Sequence, residues 1–544
     1  MRRSALWLGF LLVLAGVLLH LPGFLAARST HFMMNGMAMG LPMTVGMSLI
    51  ITGVAVAGWS LLPRRSAVVA EPGGGAHRYA ALDSARLTRA HWTLFLVLTV
   101  GLVVDVMKPA SLGFVVPGLA KEYGMSTTAA ATLPLVAITG TVLGSLVWGA
   151  LADLFGRRAT ILLSALLYVG TAICGFMPSF GWNLVMCFLM GAAAGGMLPT
   201  VYSLMSESMP ASWRGWLVVL QSGLGTALGY LAAASAAALL IPILSWRGMW
   251  LLNAPTGALL LLLNRWIPES PRFLLARGRR AEAEVVMARY GIVALPAGAA
   301  GAADPATRRD PAAVGAGAPA GQGGGVTIPG LAARMVALVS GVYRRRTGTV
   351  LLYGLAWSVV NWTFITYLPA LLSASSGPAA GARVNGLLAL SSVFAAPASI
   401  LAAFAYSRLG SRRAMLTYCG ATVLTLLAFV AVRPDRLAAS WPLVAVVAVL
   451  LASTGGMLAM LSPYAAEIYP TTLRATGSGL AAAATKVGGL LGPLLLASLA
   501  GVGPLAIVAV VPVAAAGVAL HLAGMETSGR PLLEADPALE TDPA

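Results

Sequence analysis

The sequence predicts an all-α polytopic membrane protein, with two six-helix bundles preceded by two extra N-terminal transmembrane helices. Three observations carry this. The 544-residue chain is 58% hydrophobic and 10% charged, with mean hydropathy +0.85, whereas soluble proteins carry about 25% charged residues. Its basic residues cluster in short loops at alternate ends of apolar runs, the pattern that orients membrane helices. The two halves also echo one another. Glu207, Pro210 and Arg214 recur as Glu467, Pro470 and Arg474, each 260 residues on. A weaker echo joins Gly156-Arg-Arg158 to Gly410-Ser-Arg-Arg413. Two related bundles are what a rocking transporter needs, with a site at their interface.

Residues 1–62 hold the two extra helices. Arg2 and Arg3 precede an apolar run to Ala27. A signal peptide fits the basic start and the small residues near Ala26. A retained helix fits better, because about 20 apolar residues exceed a signal core of 7–15. The run Met43–Leu62 brings the chain back to Arg64 and Arg65. Between the two runs, Met33, Met34, Met37, Met39, Met43 and Met47 cluster with His31 and His20 nearby. Thioethers suit Cu(I), which makes Met33, Met37, Met39 and Met43 candidate ligands. Adaptable apolar packing is the favoured alternative, since no companion Cys or acidic cluster accompanies them. Cys174, Cys187 and Cys419 lie in apolar segments and read as small buried thiols. No cofactor is expected.

Residues 63–91 form a basic linker with Pro72-Gly-Gly-Gly75. The first bundle follows over 92–266, with helices at 92–117, 130–149, 159–177, 183–206, 216–239 and 248–266. A central cytoplasmic segment, 267–347, is rich in arginine, and its Ala/Gly/Pro-rich middle (about 293–328) is too poor in apolar surface to offset ordering entropy. The second bundle spans 348–523, with helices at 348–373, 384–405, 414–432, 440–463, 477–500 and 503–523. Residues 524–544 form a polar cytoplasmic tail.

Charges inside the spans mark the chemistry. Asp105 and Lys108 sit three residues apart in the first core helix, within reach of each other. One reading is a structural ion pair. The other is a proton and substrate site, the default for intramembrane charge. Lys486 lies about nine residues into the eleventh core helix, or ~14 Å by helical rise, where snorkelling to an interface is strained. Two lysines and one aspartate favour an anionic substrate, most simply a carboxylate. Asn361, Trp362, Tyr367 and Tyr464 are candidate cavity liners, with the interfacial aromatic belt as the alternative. At the helix ends, Asp153, Arg157, Arg158, Glu207, Arg214, Glu467 and Arg474 read as gating residues, pairing between halves in one state and parting in the other. Plain orientation and capping is the alternative. Ser407 stands where the second half would repeat Asp153, so the halves are not electrostatically equivalent.

The stretch Gly149-Ala-Leu-Ala-Asp-Leu-Phe-Gly-Arg-Arg158 resembles the loop between the second and third helices of the major facilitator superfamily. Asp105, Gly113-Phe-Val-Val-Pro117 and Glu122-Tyr-Gly124 resemble the metabolite:proton symporters of that superfamily, especially the aromatic-acid:proton branch. Pro268-Glu-Ser-Pro-Arg272 resembles the sugar-porter and organic-ion signature. The resemblance covers about 91–524. It implies a twelve-helix major facilitator core, no enzymatic activity, and secondary active transport of a small organic anion across the plasma (bacterial inner) membrane with proton symport. It implies protons, a small-molecule substrate and the lipid bilayer as partners, no nucleic acid, and a monomer with cytoplasmic termini. Two departures stand out. The aromatic-acid branch has a second Asp where this chain has Lys108, and the superfamily has an Arg where it has Cys187. Lys108 would then replace that Arg as the partner that tunes Asp105. The Gly-Pro pair of proton-driven exporters is missing from the fifth helix, Gln221–Tyr230. An exporter remains an alternative, as does a non-transporting receptor or metal-handling protein, for which the Met-rich loop is the support. No Gly-Lys-Ser/Thr phosphate loop is present, so ATP drive is not expected.

Overall fold

The structure, a computed structural model, describes residues 3–61, 76–130, 132–292, 328–365, 397–432, 441–498 and 502–532. The described residues are almost entirely helical, and ten of their helices are long and apolar enough to cross a membrane. The central stretch expected to lack order, Tyr367, and parts of the seventh and eighth core helices lie outside the described residues.

The two extra helices, α1 (Arg3–Leu18) and α2 (Leu41–Leu61), form a tight antiparallel hairpin. Glycines allow it: a Cβ on Gly16 would stand 2.5 Å from the Gly46 carbonyl oxygen, closer than atoms pack. After the linker comes a short helix, α3 (Ala76–Asp83). The first half then comprises α4 (Arg89–Tyr123), α5 (Thr132–Phe155), α6 (Arg157–Gly170, continued as a 3₁₀ turn to Phe176), the broken pair α7 (Phe180–Ala194) and α8 (Met197–Ser208), α9 (Ala211–Leu244) and α10 (Asn253–Leu262). Two short helices follow, α11 (Pro271–Ala276) and α12 (Arg280–Arg289). Beyond the undescribed stretch lie α13 (Ile328–Val339), α14 (Tyr343–Val359, ending in a π-turn over Val360–Ile365), α15 (Ala398–Leu409), α16 (Ser411–Val432), α17 (Trp441–Ile468), α18 (Arg474–Ser498) and α19 (Val502–Ala523).

Several helices run past the limits set by their apolar runs. α4 begins at Arg89 and continues to Tyr123, and α14 begins five residues before 348. Apolar composition marks only the part inside hydrocarbon, while the helical hydrogen-bond ladder continues through polar ends into the interface. The described parts of the linker and the tail also carry structure. α3 lies in the linker, and residues 524–532 pack under the second half.

Buried apolar residues form two clusters. One draws on residues 6–292 and includes the extra hairpin, which packs against α6. The other draws on residues 338–520, with Val219 of α9 joining it. The halves meet where α5 lies along α18, and where α9 lies along α15 and α17.

Candidate functional site

The first candidate centre is in the middle of α4. Asp105 and Lys108 are both buried. Pro109 follows directly and lacks the N–H that would bond the Asp105 carbonyl, so the helix is loosened at the residue that carries the charge. The two side chains do not form an ion pair with each other. Tyr168 of α6, fully buried, takes both: its hydroxyl donates to Asp105 Oδ1, and the Lys108 ammonium stands 2.9 Å from its ring centroid. Lys108 Nζ makes no hydrogen bond. Of the two readings left by the i, i+3 spacing, the direct ion pair is therefore replaced by a Tyr168-centred triad. Lys108 rests on the electron-rich ring face, an arrangement worth ~2 kcal/mol or more when desolvated. A hydroxyl in the middle of the apolar run 159–176 was the one sequence signal for Tyr168.

Lys486 lies on α18 in the other half, with its ammonium 5.9 Å from the Trp362 ring centroid. Asn361 and Trp362 sit on the π-turn that ends α14, a local irregularity frequent at functional sites. The Trp362 indole donates to the Thr485 carbonyl at 3.1 Å, next to Lys486. Tyr464 is not in this group. It is buried, and its hydroxyl accepts from the Met525 backbone at 2.8 Å, holding the tail.

The second centre lies at one end of the bundle, referred to below as the Asp153 end. Gly156 turns the chain between α5 and α6 at φ +110°, a conformation open to glycine. This fixes Asp153 on the last turn of α5 and Arg157 on the first turn of α6. Asp153 reaches across to the other half and caps α18. It accepts from the Thr476 backbone at 2.8 Å and hydroxyl at 2.7 Å, and from the Ala475 backbone at 3.2 Å. A carboxylate at a helix N-terminus meets both free N–H groups and the positive end of the helix dipole. Arg157 bonds Asp153 at 2.9 Å, Glu207 at 2.8 Å and the Thr471 carbonyl at 2.8 Å. Glu207 in turn holds Arg474 of the second half at 2.9 Å. All four charged side chains are buried.

The pseudo-symmetric partner of this lock is weaker. Arg214 Nε stands 3.9 Å from Glu467 Oε1, and Glu467 accepts instead from Tyr406 at 2.8 Å. Ser407, the counterpart of Asp153, bonds only locally, to the Phe404 carbonyl. Arg158 bonds Asn264 at 2.7 Å and braces the first half from within.

Sequence reasoning gave three further residues here no role of their own. Glu269 caps α6, accepting from the Arg157 backbone at 2.8 Å, and Glu526 caps α16, accepting from the Ser411 backbone at 2.7 Å. Asp83 of α3 bonds Arg272 at 2.7 Å and Arg214 at 3.3 Å. Each contact spans a hundred or more residues, with no local periodicity to mark it. At the opposite end, Glu122 binds Arg247 at 2.6 Å and the Met34 and Asn35 backbone amides at 2.8 and 3.0 Å. The extra hairpin is thereby fastened to the end of α4.

The methionines divide by burial. Met34 and Met43 are buried, whereas Met33 and Met37 are exposed and Met39 packs on the first core. Met34, Met37 and Met43 line an apolar pocket of about 170 Å³ with Gly23 and Pro178. No group of three His, Cys, Asp or Glu side chains placed to hold a metal occurs among the described residues.

The chain is similar to proteins described as transporters. The profile of the family described as sugar (and other) transporter matches residues 110–539. A niacin transporter of Acinetobacter baylyi is 26% identical over 76% of this chain and 88% of its own length. A 4-hydroxybenzoate transporter of the same organism is 32% identical over 37% of this chain and 45% of its own. Among solved structures, a major facilitator superfamily proton:xylose symporter superposes with a TM-score of 0.63 at 19% identity, covering 83% of this chain and 98% of that one.

Proposed function

Because the chain belongs to the sugar (and other) transporter family of the major facilitator superfamily and is a multi-pass membrane transporter rather than an enzyme, we propose that it moves a small carboxylate-bearing metabolite by alternating access coupled to protons. The observation that carries this reading is the buried triad of Asp105, Tyr168 and Lys108 in the middle of a membrane helix. Intramembrane charge is retained where it works. Asp105 is the proton carrier. Lys108 and Lys486 supply the positive field that draws a carboxylate, and Trp362 offers an aromatic face beside Lys486. The niacin and 4-hydroxybenzoate transporters among the relatives support an aromatic or heteroaromatic acid.

In this reading the Asp153 end faces the cytoplasm of a plasma membrane. The arginines gathered there, with the positive-inside rule, support that orientation, with both termini and the central segment on the same side. The Asp153–Thr476 and Glu207–Arg474 contacts are then the cytoplasmic gate in its closed state. The chain works as a monomer.

The deciding experiment is uptake into proteoliposomes of labelled benzoate, 4-hydroxybenzoate and nicotinate, with and without an inward proton gradient. Accumulation driven by the gradient is expected for at least one acid. Flux that ignores the gradient would remove proton symport, and absence of flux for every acid would remove the substrate class.

A further inference from the structure

The gate includes a residue from outside the twelve-helix core. α3 precedes α4 and is held to α12 by an Arg78–Glu284 pair at 2.9 Å, with Leu82 buried. Its last residue, Asp83, sits between two arginines that are at most 1% exposed. Its Oδ1 lies 2.7 Å from Arg272 and 3.3 Å from Arg214. Arg214 also reaches the second half, donating to the Arg530 carbonyl at 2.8 Å and facing Glu467 at 3.9 Å. Arg214 is thus shared between a carboxylate that travels with its own half and two acceptors that belong to the other.

We propose that Asp83 is a positioning residue of the gate, a resident counter-charge that keeps Arg214 and Arg272 compensated when the second half withdraws. The inference rests on the gate reading given above. When the Asp153 end opens, Arg214 loses Glu467 and the Arg530 carbonyl. Asp83, Arg214 and Arg272 move together, so their contacts persist. Two neighbouring guanidiniums repel one another, and the carboxylate held between them offsets that repulsion. In the closed state Asp83 is one of several acceptors around Arg214, while in the open state it is the principal one. Removing its charge therefore penalises the open state more than the closed state. A simple lock has the opposite sign, because a lock stabilises the closed state and its loss opens the gate.

The test uses the full chain with Ser478→Cys, a position 3% exposed on α18 two residues beyond Thr476. The native cysteines Cys174, Cys187 and Cys419 are buried. The readout is the rate of labelling by a charged maleimide in proteoliposomes, alongside uptake. Asp83→Asn is expected to slow labelling several-fold and to slow uptake with it, while Asp83→Glu gives rates between Asn and the parent. Glu207→Gln, which breaks the Arg157–Glu207–Arg474 lock, is expected to speed labelling. If Glu207→Gln leaves labelling unchanged, the gate reading fails. If Glu207→Gln speeds labelling but Asp83→Asn leaves it unchanged or speeds it, the gate stands and the proposal for Asp83 is overturned. Should Asp83→Asn not fold, Asp83→Glu carries the test, and a rate at or above the parent's overturns the proposal.

Discussion

The hydroxyl of Tyr168 donates to the carboxylate of Asp105, joining the third core helix to the middle of the first. The ring of the same tyrosine carries the Lys108 ammonium. The two functions of Tyr168 can be separated by mutation. Tyr168→Phe removes the hydroxyl and keeps the ring. A hydrogen bond to a charged group contributes about 1.5–3 kcal/mol, so gradient-driven uptake should fall roughly 10- to 100-fold while the protein stays folded. Uptake within twofold of the parent would show that the hydroxyl is incidental.

Asp105→Asn keeps the shape of the side chain and its capacity to accept from Tyr168, but it cannot carry a proton. Uptake driven by a proton gradient should be lost, while exchange of internal for external substrate persists. Both are measured in the same proteoliposomes. Intact gradient-driven uptake would discard Asp105 as the carrier.

Glu207 compensates Arg157 and Arg474 at once, from opposite halves. Removing one partner of a buried ion pair costs about 3–5 kcal/mol, because the other is left uncompensated. Glu207→Gln should therefore lower the unfolding midpoint in detergent by several degrees. A midpoint unchanged within one degree would mean the site relaxes or hydrates.

Glu282 makes the contrasting case outside the membrane. Its hydrogen bonds from Arg279, at 2.7 and 2.8 Å, hold its carboxyl below the ordinary range. A depressed carboxyl contributes stability above its unfolded value of about 4.3 and loses it as pH falls through the folded value. The side chain is 60% exposed, so solvent screens the pair and the contribution stays below about 0.5 kcal/mol. Glu282→Gln should leave unfolding midpoints at pH 7 and pH 4 almost unchanged. A loss at pH 7 as large as that of Glu207→Gln would contradict the role given to burial.

Glu122 fastens the hairpin tip through the Met34 and Asn35 amides while it binds Arg247. In Glu122→Gln the amide oxygen still accepts, but without charge. Hydrogen exchange at those two amides should accelerate about tenfold, and exchange within α2 should not change. Equal protection in parent and variant would mean that packing of Phe32 and Met34 holds the loop.

Much of this protein follows from local chemistry. Apolar run length and the placement of arginines determined the membrane class and most of the spans, because a bilayer imposes length and charge rules on each segment separately. The repeated Glu, Pro and Arg residues at a fixed offset marked the two halves and pointed to Glu207, Glu467, Arg214 and Arg474. Tertiary structure alone decided the partners. Spacing along one helix brought Asp105 and Lys108 together, but the third helix, by inserting Tyr168 between them, put a triad in place of a direct ion pair. Tyr464 was legible as a buried aromatic, yet its hydroxyl serves the tail rather than the Asp105 group. In the sequence Asp83 looks like surface charge and Glu122 like part of a loop motif. Each becomes a compensating carboxylate only because folding carries an arginine more than a hundred positions away to within hydrogen-bonding distance. Such pairings depend on how helices pack, and no local period encodes them.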